Sequence, residues 1–168
     1  MKDFYNMFES VFDIDSNKEF DDKYTSGKSL EEIEWMIEHS HPKDCVELKS
    51  IIKQYCDEYG WDSDLNWIDV SGVDDMSYLF YNLDGFKGDI SKWDVSNVVY
   101  MNYMFSNTKF NGDISKWDVS NVKDMLLMFA YSKFARDISK WNVSKVIDMN
   151  YMFKDSPLEK NPPKWYHE

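Results

Sequence analysis

The side chains that could do chemistry are few and scattered. Cys45 and Cys56 stand eleven positions apart in a stretch patterned as one helix. A rise of about 1.5 Å per residue separates their Cα atoms by about 16 Å, too far for a disulfide between them. They read as reduced, small core residues, the state a cytosolic compartment maintains. His39, His41 and His167 form no Cys/His cluster with zinc spacing. His39 and His41 flank an expected helix end, where they complement its carbonyls. No glycine-rich phosphate loop and no Gly-x-Ser-x-Gly elbow is present. One acidic segment invites a calcium test. Asp13, Asp15, Asn17 and Asp21 fall at liganding positions of an EF-hand loop. Lys18 replaces its glycine and Tyr24 its bidentate glutamate, so a solvated acidic turn is preferred over a metal site. No catalytic constellation emerges. The expectation is a non-enzymatic protein without a cofactor.

Composition narrows the class. The chain has 168 residues and a net charge of −12. Residues 1–64 carry 7 Lys against 17 acids (net −10), and residues 65–168 carry 12 basic against 14 acidic residues (net −2). The chain therefore divides into an acidic, helical N-terminal region (1–64) and a second part (65–168). An acidic surface repels phosphate backbones, so direct nucleic-acid binding is not expected. No apolar run approaches the ~20 residues of a membrane span, and the N-terminus lacks a secretory pattern. A cytoplasmic location is the expectation.

An internal repeat governs the second part. Ile-Ser-Lys-Trp recurs at Ile90, Ile114 and Ile138, a period of 24, and an earlier unit from Leu65 fits with one extra residue near Asp84–Gly85. A further step lands on Lys164-Trp165, inside a truncated fifth unit. In each unit Ile90, Trp93 and Val95 alternate with polar residues and predict a short strand. Val98, Met101, Met104 and Phe105 recur at intervals of three and four and predict about two turns of helix. The expected fold is therefore α/β: a short leucine-rich-repeat-like solenoid of four repeats and a truncated fifth, with a parallel sheet. An acidic helical region is expected to cap it. Its helices are predicted over Asp3–Phe12, from Leu30 behind a Ser29/Glu32 capping box, and from Asp44 to a stop at Gly60.

Asp113-Ile114-Ser115-Lys116-Trp117-Asp118-Val119-Ser120-Asn121-Val122, followed by Met125, Met128 and Phe129, resembles the BspA-like leucine-rich-repeat family of bacteria. That resemblance implies the solenoid, a protein partner and, in surface members, contact with host proteins or matrix. A surface location is thus the family-based alternative.

Stacked units place equivalent residues in columns. Trp67, Lys92, Lys116 and Lys140 form one, and Asp94 and Asp118 stand in the next, where the two charges can offset each other. Tyr78, Tyr103, Leu127 and Tyr151 form a column that varies between units, as do the loops 81–84, 106–109, 130–133 and 154–157. A tyrosine-rich stripe suits an interface, and half-buried packing is the plainer alternative. Two functions follow. One is a protein–protein interaction module using these columns. The other is an acidic inhibitor or decoy, of viral or mobile-element type, that blocks the basic groove of a nucleic-acid-processing enzyme through residues 1–64.

Overall fold

The computed structural model describes residues 25–167, so the expected helix at Asp3–Phe12 and the acidic turn at Asp13–Asp21 lie outside the described residues. Helix α1 (Leu30–Glu38) begins at Ser29, whose hydroxyl accepts from the Glu32 N–H. Helix α2 (Cys45–Tyr59) begins at Asp44, whose carboxylate accepts from the Glu47 N–H at 2.9 Å. Glu47 reaches back to the Lys43 N–H at 2.7 Å, so the box closes one residue earlier than the usual pattern. Gly60, at φ 108°, ends α2 by donating its N–H to Cys56. Leu48, Ile51, Ile52, Tyr55 and Cys56 form the buried face of α2, as their spacing predicts.

The repeats fold differently from the expectation. No β-strand forms among the described residues, so the leucine-rich-repeat solenoid with a parallel sheet is not what the chain builds. Among the described residues the units share four isolated parallel β-bridges: Asp64–Asp89, Asp75–Tyr100, Tyr100–Asp124 and Asp124–Asp148. Three of them lie in the Met-rich segments expected to be helical. The segments expected to be strands turn instead. Trp93 N–H donates to Ile90 and Val98 N–H to Val95, and the Asp89 and Asp94 carboxylates each accept from the backbone N–H two residues on. Such Asx turns compete with extended pairing.

The Met-rich segments make consecutive β-turns rather than helix. Met104 donates to Met101 and Ser106 to Tyr103, with Tyr103 at φ 58° between them. A left-handed residue cannot continue an α-helix. Apolar residues spaced by three fit successive turns as well as a helix, which is why the periodicity misleads. The alternate N–H groups of Met101, Tyr103, Phe105 and Asn107 donate to carbonyls of Asp124, Leu126, Met128 and Ala130 in the next unit. The same four-bond set joins Met76–Asn82 to Tyr100–Ser106, and Met125–Tyr131 to Asp148–Lys154.

Side chains stack between units in the same register. Phe80, Phe105, Phe129 and Phe153 form a column with ring centroids 5.3, 5.6 and 6.0 Å apart. Phe86, Phe110 and Phe134 form another, at 5.7 and 6.4 Å. The Nε1 of Trp93, Trp117, Trp141 and Trp165 each donates to a carbonyl one unit back: Leu65, Ile90, Ile114 and Ile138. Burying a ring of this size contributes about 1.5–3 kcal/mol, so these columns dominate the core. At the first unit Trp67 takes a separate course. It is buried against Trp35 of α1 and Tyr55 of α2, instead of lining an outer column with the lysines.

Candidate interaction surface

Burial acts on both thiols. It pushes the Cys45 thiol up to about 11 and the Cys56 thiol to about 12. His39 bonds the Trp35 carbonyl through Nδ1 at 2.8 Å and stacks on the Trp35 ring, which is the helix-end role its position predicts. Glu32, Tyr55 and Lys28 bind one another between α1 and α2. The Tyr55 hydroxyl donates to Glu32 at 2.8 Å, and Lys28 Nζ contacts both groups. Burial, then the Glu32 carboxylate, push the Tyr55 phenol far up. A cavity of about 340 Å³ borders this trio, lined also by Tyr59, Ser63 and Asp64. Among the described residues no cluster of three His, Cys, Asp or Glu could hold a metal ion.

The structure separates the predicted binding columns into two kinds. Lys92, Lys116 and Lys140 are exposed, as are Asp94 and Asp118. The carboxylates, however, are bound within their own units. Asp94 accepts from the Ser96 N–H at 3.0 Å and the Ser96 hydroxyl at 2.6 Å, and Asp118 accepts from the Ser120 N–H at 3.0 Å. The Ser120 hydroxyl, then its N–H, hold the Asp118 carboxyl below the usual range. These aspartates shape turns first. Their repetition follows from that duty.

Tyr78, Tyr103, Leu127 and Tyr151 are brought together. All four adopt left-handed backbone, at φ 59°, 58°, 55° and 54°. Tyr78 and Tyr103 stack with centroids 4.7 Å apart and planes 9° apart. Tyr81 meets both rings edge-on, at 5.6 and 6.0 Å. Further along, Lys154 Nζ lies 6.0 Å from the Tyr131 ring centroid and 5.5 Å from that of Tyr151. The Tyr131 hydroxyl raises the Lys154 ammonium above its ordinary range. Burial, then Tyr78 and Tyr81, push the Tyr103 phenol above its ordinary range.

Tyr78, Tyr131 and Tyr151 remain 43%, 49% and 53% exposed. Tyr81, Tyr131 and Lys154 fall in loops flagged as variable, yet sequence reasoning did not join them to the column. The available signal was the second left-handed position of each unit, which reads Asn82, Asn107, Tyr131 and Asp155. Its third member departs from the small polar residues of the others.

No helix among the described residues is long and apolar enough to cross a membrane. No curated protein and no solved structure matches the chain. A family model does match, over residues 47–165, and it replaces the BspA-like leucine-rich-repeat assignment suggested by the repeat. The chain belongs to the family described as Mycoplasma protein of unknown function, DUF285.

Proposed function

We propose that this chain is a non-enzymatic protein–protein interaction module, and that the row of tyrosines from Tyr78 to Tyr151 is its binding surface. One observation carries the reading. The turn ribbon demands left-handed backbone, which asparagine and glycine adopt cheaply, yet four of these positions hold tyrosine and one holds leucine. Each bulky residue there costs about 1–3 kcal/mol. Three of these tyrosines leave about half their surface in water, so burial offsets only part of that cost. Aromatic rings clustered on a rigid support are the residues that anchor protein interfaces. A cytoplasmic setting accords with two free thiols.

The test is selection of peptides from a random displayed library, on the intact chain and on a Tyr78→Ser/Tyr103→Ser/Tyr151→Ser variant checked for native circular dichroism. The reading expects peptides that the intact chain enriches and the variant does not. Equal enrichment by both, or none by either, overturns it. Binding that the variant retains and that high salt abolishes would favour the acidic residues 1–64 instead.

A further inference from the structure

Resting on that reading, we propose the chemistry of the partner: an extended, proline-rich segment in the polyproline II conformation that carries Arg or Lys beside its prolines. The argument begins with spacing. Adjacent units pair in parallel through Tyr100, Asp124 and Asp148, a step of about 4.8 Å. The stacked Tyr78 and Tyr103 rings repeat that step, at 4.7 Å. Tyr103 and Tyr151 belong to units two steps apart, so their backbone positions recur at about 9.6 Å. A polyproline II helix rises about 3.1 Å per residue and repeats every third residue, about 9.3 Å. Tyr103 and Tyr151 therefore match successive turns of that helix, and Leu127 supplies an apolar contact between them.

Chemistry points the same way. A polyproline segment makes no internal hydrogen bonds, so its carbonyls are open to phenol donors. Its stiffness means little order is lost on docking. Charge selects the flanking residues. At one end of the patch Lys154 Nζ lies 5.5 Å from the Tyr151 ring centroid and 6.0 Å from that of Tyr131, so a cation already sits beside these rings. At the other end Lys49 Nζ donates to the Tyr78 carbonyl at 3.0 Å, and among the described residues no cation lies over the Tyr78, Tyr81 or Tyr103 ring. A partner's Arg or Lys would stack on those rings.

The experiment is calorimetric titration of the full chain with three probes: a peptide of Pro-Pro-Arg repeats, the same peptide with glycine for every proline, and cellohexaose. The expected result is at least about tenfold tighter binding of the proline peptide than of its glycine counterpart. Tyr103→Ala should weaken it about tenfold, the size of an interface anchor. Tyr103→Phe, which keeps the stacked ring, should weaken it less and guards against a folding defect in the first variant. Equal binding of both peptides would mean charge alone, and would overturn the proposal. So would affinity unmoved by Tyr103→Ala, or a preference for the sugar. Library peptides that need the tyrosines but lack proline would sink this inference and leave the interaction reading standing.

Discussion

Gly88 and Gly112 occupy equivalent places one unit apart, yet a methyl group should have different consequences at each. A Cβ built on Gly88 would lie 2.7 Å from the backbone carbonyl oxygen of Ser63 and 2.7 Å from the Phe86 ring. Neither neighbour yields easily. Ser63 O accepts the Asp89 N–H at 3.0 Å, and Lys87 N–H donates to Trp61 at 2.8 Å, so the glycine sits between two bonds joining the first units. Overpacking of this kind costs about 1–3 kcal/mol, and stretching two backbone bonds adds part of about 0.5–1.5 kcal/mol each. Gly88→Ala should therefore destabilise by about 2–4 kcal/mol.

At Gly112 the same Cβ meets only the ring of Phe110, at 2.7 Å. One unit later the equivalent position holds Arg136 beside a buried Phe134, with Arg136 Nε donating to the Asn111 carbonyl. A Cβ is accommodated there, so Gly112→Ala should cost no more than about 1 kcal/mol. Urea unfolding followed by tryptophan fluorescence measures both. For a chain of this size the gap corresponds to roughly 2–16 °C in Tm. Equal stability of the two variants would refute the pairing of residues 61–65 with 87–89.

Acid should loosen the repeats. Asp113 and Asp137 are held below the usual carboxylate range by the backbone N–H and then the hydroxyl of Ser115 and Ser139, and Asp118 by the Ser120 hydroxyl and then its N–H. A carboxyl lowered on folding contributes stability that is present above its unfolded value of about 3.9 and is lost as pH falls through the lowered folded values. The urea midpoint should hold steady from neutral pH to about pH 5 and drop below about pH 4. Asp118→Asn, which keeps an acceptor, should flatten that drop, and an unchanged acid limb would count against these turns. The two thiols supply a separate check. With Cys45 near 11 and Cys56 near 12, a disulfide reagent at pH 8 should label Cys45 slowly and Cys56 only on unfolding; immediate labelling of Cys56 would contradict its burial.

Much of the N-terminal part was legible because its signals are local. Ser29 with Glu32, Asp44 with Glu47, and Gly60 mark both helices, and the buried face of α2 reads directly from Leu48, Ile51, Ile52 and Tyr55. The 24-residue period was also plain, and the structure keeps it in the Trp and Phe columns. The conformation within each unit was not. Val98, Met101 and Met104 are three apart, a spacing shared by a helix and by consecutive turns. What decides between them is the left-handed residue at Tyr103, for which tyrosine is a poor advertisement. Asp94-Val95-Ser96 likewise reads as strand by alternation, whereas the aspartate bonds its own backbone two residues on. The tyrosine column could be placed from the repeat. That it extends to Tyr131 and Lys154 required the turn geometry.

The central claim is that these tyrosines serve binding at the expense of the fold. The most direct measurement replaces Tyr78, Tyr131 and Tyr151 together with asparagine, the residue that the left-handed positions 82 and 107 already use. Tm and affinity for a peptide selected on the intact chain are then read from the same preparation. Relief of left-handed strain opposes the loss of three half-buried rings, so the account predicts a Tm that is unchanged or raised, with binding weakened at least about tenfold. A clear fall in Tm with binding intact would mean that the tyrosines are packing, and would contradict the account.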